Sequence, residues 1–252
     1  MIVATLFYLF LGGLLLLVYR VLSARSVEVE RVIIERIAAF VAGVDGDVVA
    51  IGRGVTRKDL VRSLAFVAEM TTEQASDRVR IIMKYYHLES YMLRRIFASR
   101  HDSQRAYLLA LMSRLPISML AALRVEPLVY AKSTEVGFYA LAAIFAVTPL
   151  RGVATLARMS HRLSRRDVAE LLSVVNRGCC PVPYTPLLLS ENYNLQLLGL
   201  YLVRRFAIAE SRREIAAIVK NRSSELRDDA LSVLASFGEV MIEYEGGKCR
   251  IV

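Results

Sequence analysis

Two stretches of this chain, "YNLQLLGLYLVRRFA" from Tyr193 and "SELRDDALSVLASFG" from Ser224, write one helix twice. Aligned on their leucines, Leu195 falls on Leu226, Gly199 on Ala230, Leu200 on Leu231, Val203 on Leu234 and Phe206 on Phe237, every pair 31 positions apart. The intervals are those of one helix face, with small residues matching small and large matching large. A helix with a single apolar stripe cannot bury it alone. Stacking similar units turns the stripes into one continuous core, and that demand constrains the fold more than any other feature.

Between the two copies, Ser211 and Glu214 in "SRRE" have capping-box spacing, followed by Ile215, Ile218 and Val219 on one face. The unit is therefore helix, turn, capped helix, turn. It extends backwards with falling fidelity: "TEVGFYALAAIFAV" places Gly137, Ala140, Leu141 and Ile144 on a comparable face. "SQRAYLLALMSRL" begins at Ser103, 31 positions before Thr134, so that Ala106 answers Gly137 and Tyr107 answers Phe138. From Pro149 to Ser190 the period is not kept. There "CCPVPYTPLLLSEN" carries three prolines that break any long helix, and it reads as a modified second helix.

The remaining pattern is helical almost throughout. Apolar spacing predicts helices around Asp77–His87, Ser90–Ser99, Ser103–Arg114, Ile117–Leu123, Thr134–Ala146, Gly152–His161, Arg166–Val175, Leu195–Ala207, Arg212–Lys220 and Leu226–Phe237. Thr56 is a good N-cap, with Asp59 three residues on. The glycine-rich "VAGVDGDVVAIGRGV" is expected to be a loop or short hairpin, and helices are expected from Thr56 to the end. Hydrophobic residues make up 55% of the chain, enough for a large core, so the expected class is all-α.

"IVATLFYLFLGGLLLLVY", from Ile2 to Tyr19, carries no charge. As a helix it spans about 27 Å at roughly 1.5 Å per residue, enough for most of a bilayer core. No basic residue precedes it, as a cleaved signal would require, whereas Arg20 and Arg25 follow at once. The reading is a retained, single-pass transmembrane anchor with the remainder on the cytoplasmic side. Gly12 and Gly13 are adjacent and do not form GxxxG, so nothing argues for a dimerising membrane helix. The stem that follows mixes Arg25, Arg31 and Arg36 with Glu28, Glu30 and Glu35 around Val32, Ile33, Ile37 and Phe40, which reads as a solvated amphipathic helix. The domain plan is thus an anchor over residues 1–22, a stem helix and glycine-rich loop over 23–55, and a helical-repeat domain over 56–252, clearest at 192–238.

"NLQLLGLYLVRRFA" and "ELRDDALSVLASFG", each with a charged or polar opening, a small central residue and an apolar close, resemble the HEAT-repeat superfamily. The arrangement of an anchor followed by divergent repeats looks like bacterial membrane-anchored HEAT-repeat proteins. The resemblance implies an α-solenoid of stacked antiparallel helix pairs. It also implies a scaffold or adaptor at the inner membrane whose partner is a membrane-associated protein, such as a glycosyltransferase or a signalling assembly. The early helices align poorly, and the prolines from Pro181 to Pro186 interrupt the period.

Motifs for chemistry are scarce. His87, His101 and His161 are scattered without HExxH or i, i+4 pairing, and the Cys179–Cys180 pair has no second pair, so no metal site is expected. The 3 cysteines make no disulfide framework. "GRGVTRK" lacks phosphate-loop spacing, no GxSxG occurs, and no cofactor is expected. Asp228 and Asp229 open a helix, where they suit its dipole and face water. The chain is read as non-enzymatic. The alternatives are a basic HEAT-like nucleic-acid-binding protein, which the net charge of +9 favours and the anchor disfavours, and an enzyme whose site has no recognised motif.

Arginine doublets sit near predicted helix ends: Arg94–Arg95, Arg165–Arg166, Arg204–Arg205 and Arg212–Arg213. One reading is capping and solvation. The sharper one is a basic strip for an acidic partner, with Arg212 and Arg213, then Arg204 and Arg205, as the partner-binding residues.

Overall fold

A computed structural model of the chain describes residues 28–44, 46–71, 73–174, 181–221, 223–238, 242–245 and 248–251. The apolar run from Ile2 to Tyr19 and the Cys179–Cys180 pair lie outside those residues. Among the described residues no helix is long and apolar enough to cross a membrane. The chain divides into two compact units, one running to Tyr91 and the other starting at Met92.

The first unit contains α1 (28–42), α2 (Val48–Ile51), α3 (Arg57–Met70), α4 (Glu73–Tyr85) and the start of α5 (Leu88–Ala98). In α1 the stripe expected from spacing is inward: Ile33, Ile37 and Phe40 are buried. Arg78 of α4 donates to the Phe40 carbonyl at 2.7 Å, and Arg62 of α3 pairs with Glu30 at 3.0 Å. The stem helix therefore packs into this unit with α3 and α4, and the boundary drawn at Thr56 falls inside it. Thr56 caps α3 as expected, accepting from the Asp59 amide.

The glycine-rich stretch is neither plain loop nor hairpin, because α2 interrupts it. Asp47 accepts the Val49 N–H at 2.8 Å and starts the turn. The Tyr86 hydroxyl then binds both ends, donating to the Val48 carbonyl and accepting the Gly52 N–H. Burial, the largest cause, raises the Tyr86 pKa above its ordinary value.

The second unit continues α5 and adds α6 (Asp102–Ser113), α7 (Met119–Val125) with a 3₁₀ turn at Glu126–Tyr130, α8 (Thr134–Val147), α9 (Pro149–Leu156) and α10 (Arg165–Ser173). After these come α11 (Thr185–Leu188), α12 (Tyr193–Phe206), a 3₁₀ turn at Ala209–Ser211, α13 (Arg212–Lys220) and α14 (Arg227–Ser236). Four of the helices start because short polar side chains take up free amides: Ser118, Ser133, Ser164 and Asn192 each accept from a backbone N–H of the first turn. Helix α8 is apolar nearly all round and buried from Val136 to Phe145 except Tyr139, which makes it the centre of the unit.

Packing follows chain order. Helix α6 lies on α8, α8 on α10, α10 on α12 and α12 on α14. Helices α7 and α9 pack on α8, α11 on α12, and α13 on α14. The period was expected to lapse between Pro149 and Ser190, yet α10 begins at Arg165, 31 positions after the start of α8 at Thr134. The helix expected at Arg166–Val175 is thus in step with the period, and its stripe of Val168, Leu171 and Leu172 is buried. The expected helix Gly152–His161 instead begins at Pro149, which suits a first-turn position that needs no amide, and ends at Leu156.

Two helix-start expectations are corrected. Ser211 does not cap α13: its hydroxyl donates to the Ile208 carbonyl at 2.7 Å, because the 3₁₀ turn points it backwards. The reciprocal capping box forms at Ser164 and Asp167 of α10 instead. Asp229 does not face water, since only about a tenth of its side chain is exposed. Its carboxylate takes a two-pronged pair from Arg165, at 2.7 and 3.0 Å, which links the first turns of α10 and α14. Asp228 is exposed as expected.

The chain also does not stay helical to its end. Strands β1 (Ile242–Glu245) and β2 (Lys248–Ile251) pair antiparallel, with Glu245 opposite Lys248. "IEYEGGKCRI" holds the signal that the helical reading passed over: two short alternating runs separated by Gly246 and Gly247.

Candidate functional site

The matched pair α12 and α14 is held together by polar residues at their starts. Asn194 is buried in the first turn of α12. Its side chain accepts the Leu163 N–H at 2.8 Å and donates to the His161 carbonyl at 2.9 Å, fixing the loop that enters α10. Beside it, Arg162 stands over the Tyr193 ring at 4.8 Å and pairs with Glu225. Arg162, Tyr193 and Glu225 occupy comparable places before or at the start of α10, α12 and α14. Their numbers differ by 31 and 32, so neighbouring units contribute one residue each to a stacked row.

That row forms one wall of a cleft of about 440 Å³ within the second unit. Its apolar floor comes from Leu188 of α11, Ile218 of α13 and Leu226 before α14, all buried. Leu189 stands at the cleft with 64% of its surface exposed. Gln196 of α12 lines it too, donating to the Leu188 carbonyl at 3.0 Å.

Two cleft hydroxyls accept backbone amides and one donates. Ser190 accepts the Asn192 amide, Ser224 accepts the Leu226 amide, and Ser223 donates to the Asn221 side chain at 2.7 Å. The carboxylates differ. Glu225 is paired with Arg162, and Glu191 and Glu214 are the other carboxylates among the described lining residues. Glu214 Oε2 is out of reach of solvent, and among the described residues no group donates to it.

None of the four arginines singled out by sequence lines this cleft. Arg205 donates to the Leu172 carbonyl at the end of α10 and lies 6.0 Å from the Phe206 ring, so it closes a helix end. Arg212 sits 6.0 Å over the Phe237 ring after α14. Arg204 and Arg213 are exposed at the end of α12 and the start of α13. The four flank one connection, as their numbering requires, and two of them are tied to the packing of neighbouring units. The Arg165–Arg166 doublet divides as well, with Arg165 held by Asp229, which raises its pKa further.

Among the described residues no group of three or more His, Cys, Asp or Glu is placed to hold a metal ion. Sequence reading missed the cleft because Glu214 was given a capping role and Arg162 and Glu225 belong to no motif. The spacing of 162, 193 and 225 was the available signal. What fold and cleft define is the class: a predominantly α-helical protein whose second unit stacks helices in chain order beside a cleft lined by Arg162, Glu191, Glu214 and Glu225. No family model matches the chain, and no curated protein and no solved structure matches it either.

Proposed function

We propose that this chain is a membrane-anchored, non-enzymatic scaffold, with a HEAT-like α-solenoid on the cytoplasmic face of the inner membrane that docks a membrane-associated protein partner. The observation that carries the reading is the chain-order packing of α6, α8, α10, α12 and α14 at a spacing near 31 residues. A row of repeated units presents equivalent side chains side by side, which suits broad docking surfaces. The uncharged run from Ile2 to Tyr19, with Arg20 and Arg25 behind it, supports the anchor and its orientation. Tethering would raise the effective concentration of neighbouring membrane proteins at that surface.

The anchor is tested by fractionation. The full chain is expected to pellet with membranes and to resist high-salt extraction, whereas a chain lacking residues up to Ser23 is expected in the soluble fraction. Digestion of the part after Arg25 by protease added outside intact cells would overturn the topology.

The arginine edge is tested by the double reversal Arg212→Glu with Arg213→Glu. Each exposed charge contributes modestly and is screened by salt, so a single reversal is a weak probe. The double variant is expected to keep its helicity and to lose several-fold in the amount of partner recovered by crosslinking from membranes. Undiminished recovery would leave these arginines as solvated or packing residues.

A further inference from the structure

We infer that the first unit rests against the membrane through the end of α3, where Phe66 and Met70 enter the boundary between lipid headgroups and acyl chains. This rests on the anchor proposed above and deepens it, by saying which part of the tethered unit meets the bilayer. Two contacts fix the direction of the helices. Glu30, near the start of α1, pairs with Arg62 of α3 at 3.0 Å. Arg36, more than a turn later, donates to the Arg53 carbonyl at 3.3 Å, before α3 begins. The two helices therefore run in opposite directions, and the C-terminal end of α3 lies toward the start of α1. Nine residue steps separate Tyr19, the last of the uncharged run, from Glu28. At about 3.3–3.6 Å per residue, the start of α1 stays within about 30 Å of that run.

Apolar exposure gathers at this end. Phe66 is 45% exposed and Met70 72%, one turn apart on the same row of α3, and Val29 at the start of α1 is 44% exposed. Single exposed apolar residues are ordinary, whereas adjacent ones mark an interaction surface. Ile81 and Tyr85 of α4 form a comparable pair, but Tyr85 neighbours Tyr86, whose hydroxyl is bound at α2, beyond the other end of α1. Phenylalanine and methionine bring no polar group that needs a partner at headgroup depth. So small a patch holds a membrane weakly by itself. Behind an anchor it meets lipid at high effective concentration, and a protein partner would have to compete with a bilayer that is always within reach. Glu28 and Glu30, the acidic residues at the start of α1, are each paired with an arginine, Arg31 and Arg62, which lowers their repulsion from anionic headgroups.

The chain contains no tryptophan, so a single introduced one reports its own surroundings. The test uses the full chain in phosphatidylcholine vesicles whose acyl chains carry bromine, a contact quencher, close to the headgroup. Phe66→Trp and Met70→Trp are the reporters. Val44→Trp and Tyr85→Trp are the controls, Val44 being 84% exposed just past the far end of α1, about 20 Å from Val29 at roughly 1.5 Å per residue. Both reporters are expected to be quenched several-fold more strongly than the controls and to emit further to the blue. Circular dichroism checks helicity, and either reporter that keeps it is sufficient. Absent quenching in the reporters, or equal quenching in reporters and controls, would overturn the inference. So would blue-shifted emission from position 66 that bromine leaves untouched, since a protein such as a second copy would then be its cover. Flotation of the vesicles reads the anchor separately. A chain that floats with unquenched reporters keeps the anchor and loses this inference, whereas a chain that does not float loses the anchor and this inference with it.

Discussion

Leu200→Asp is expected to abolish cooperative folding of the second unit, and Leu231→Asp to do the same. Both leucines are essentially inaccessible, at 0% and 1% exposure, on the matched faces of α12 and α14. Losing the leucine from a packed site costs about 2–5 kcal/mol by itself. The aspartate then either buries a charge with no partner or takes up a proton to avoid it, at a further cost of several kcal/mol. A domain with about 5–15 kcal/mol of stability cannot absorb both. Thermal melts followed by circular dichroism should show a broad or missing transition for the two variants. Arg213→Asp, at an exposed position, should melt close to the parent. Leu195→Asp should fall between, because Leu195 is partly exposed although its counterpart Leu226 is buried. Parent-like melts for both Leu200→Asp and Leu231→Asp would show that the register assigned to the repeat is wrong.

Gly137→Val should produce the second large effect. Gly137 lies in the first turns of α8, where a Cβ would sit 2.7 Å from the Val129 carbonyl oxygen and 3.4 Å from His161 Cε1. The oxygen belongs to the backbone of the 3₁₀ turn that packs on α8, so it cannot swing aside as a long side chain would. Glycine ordinarily costs a helix about 1 kcal/mol relative to alanine, which would favour substitution. Here that gain is opposed by overpacking of about 1–3 kcal/mol or more, because valine adds two methyl groups beyond the crowded Cβ. A net cost of about 1–2 kcal/mol, at about 2–4 °C per kcal/mol for a unit of this size, should lower the melting temperature by about 2–8 °C. Gly46→Ala is the control, since a Cβ there meets nothing within 4 Å. An unchanged or raised melting temperature for Gly137→Val would mean that α8 and the turn stand further apart than described.

Much of the architecture was legible because helical periodicity is local. Leu200, Val203, Leu231 and Leu234 announce their faces through their spacing, and all four are buried. The small residues Gly199 and Ala230 mark where helices approach closely: a Cβ on Gly199 would stand 3.0 Å from the Leu187 side chain. The polar details were less legible, because they depend on which of several nearby partners a side chain meets. Ser211 had a local capping role open to it and took a different one, set by a 3₁₀ turn that its sequence does not signal. Asp229 looked like a solvated helix opener until packing brought Arg165, 64 positions away, against it. The cleft was invisible for the same reason, since its walls are drawn from residues between 162 and 226.

The sequence by itself determined the helical class, most helix positions and the inward faces of the matched pair, because periodicity and capping act within a few residues. It also supplied the uncharged run behind the proposed anchor, whose segment lies outside the described residues. Only the tertiary structure decided that α10 continues the row, that Arg205 and Arg212 reach neighbouring groups although all four arginines are exposed, and that Glu214 Oε2 is buried without a donor among the described residues. The physical reason is one of range. A helix stripe is fixed by neighbours three and four positions away, whereas the partner of a charge is whichever group the packed chain brings within about 4 Å, and sequence distance does not encode that.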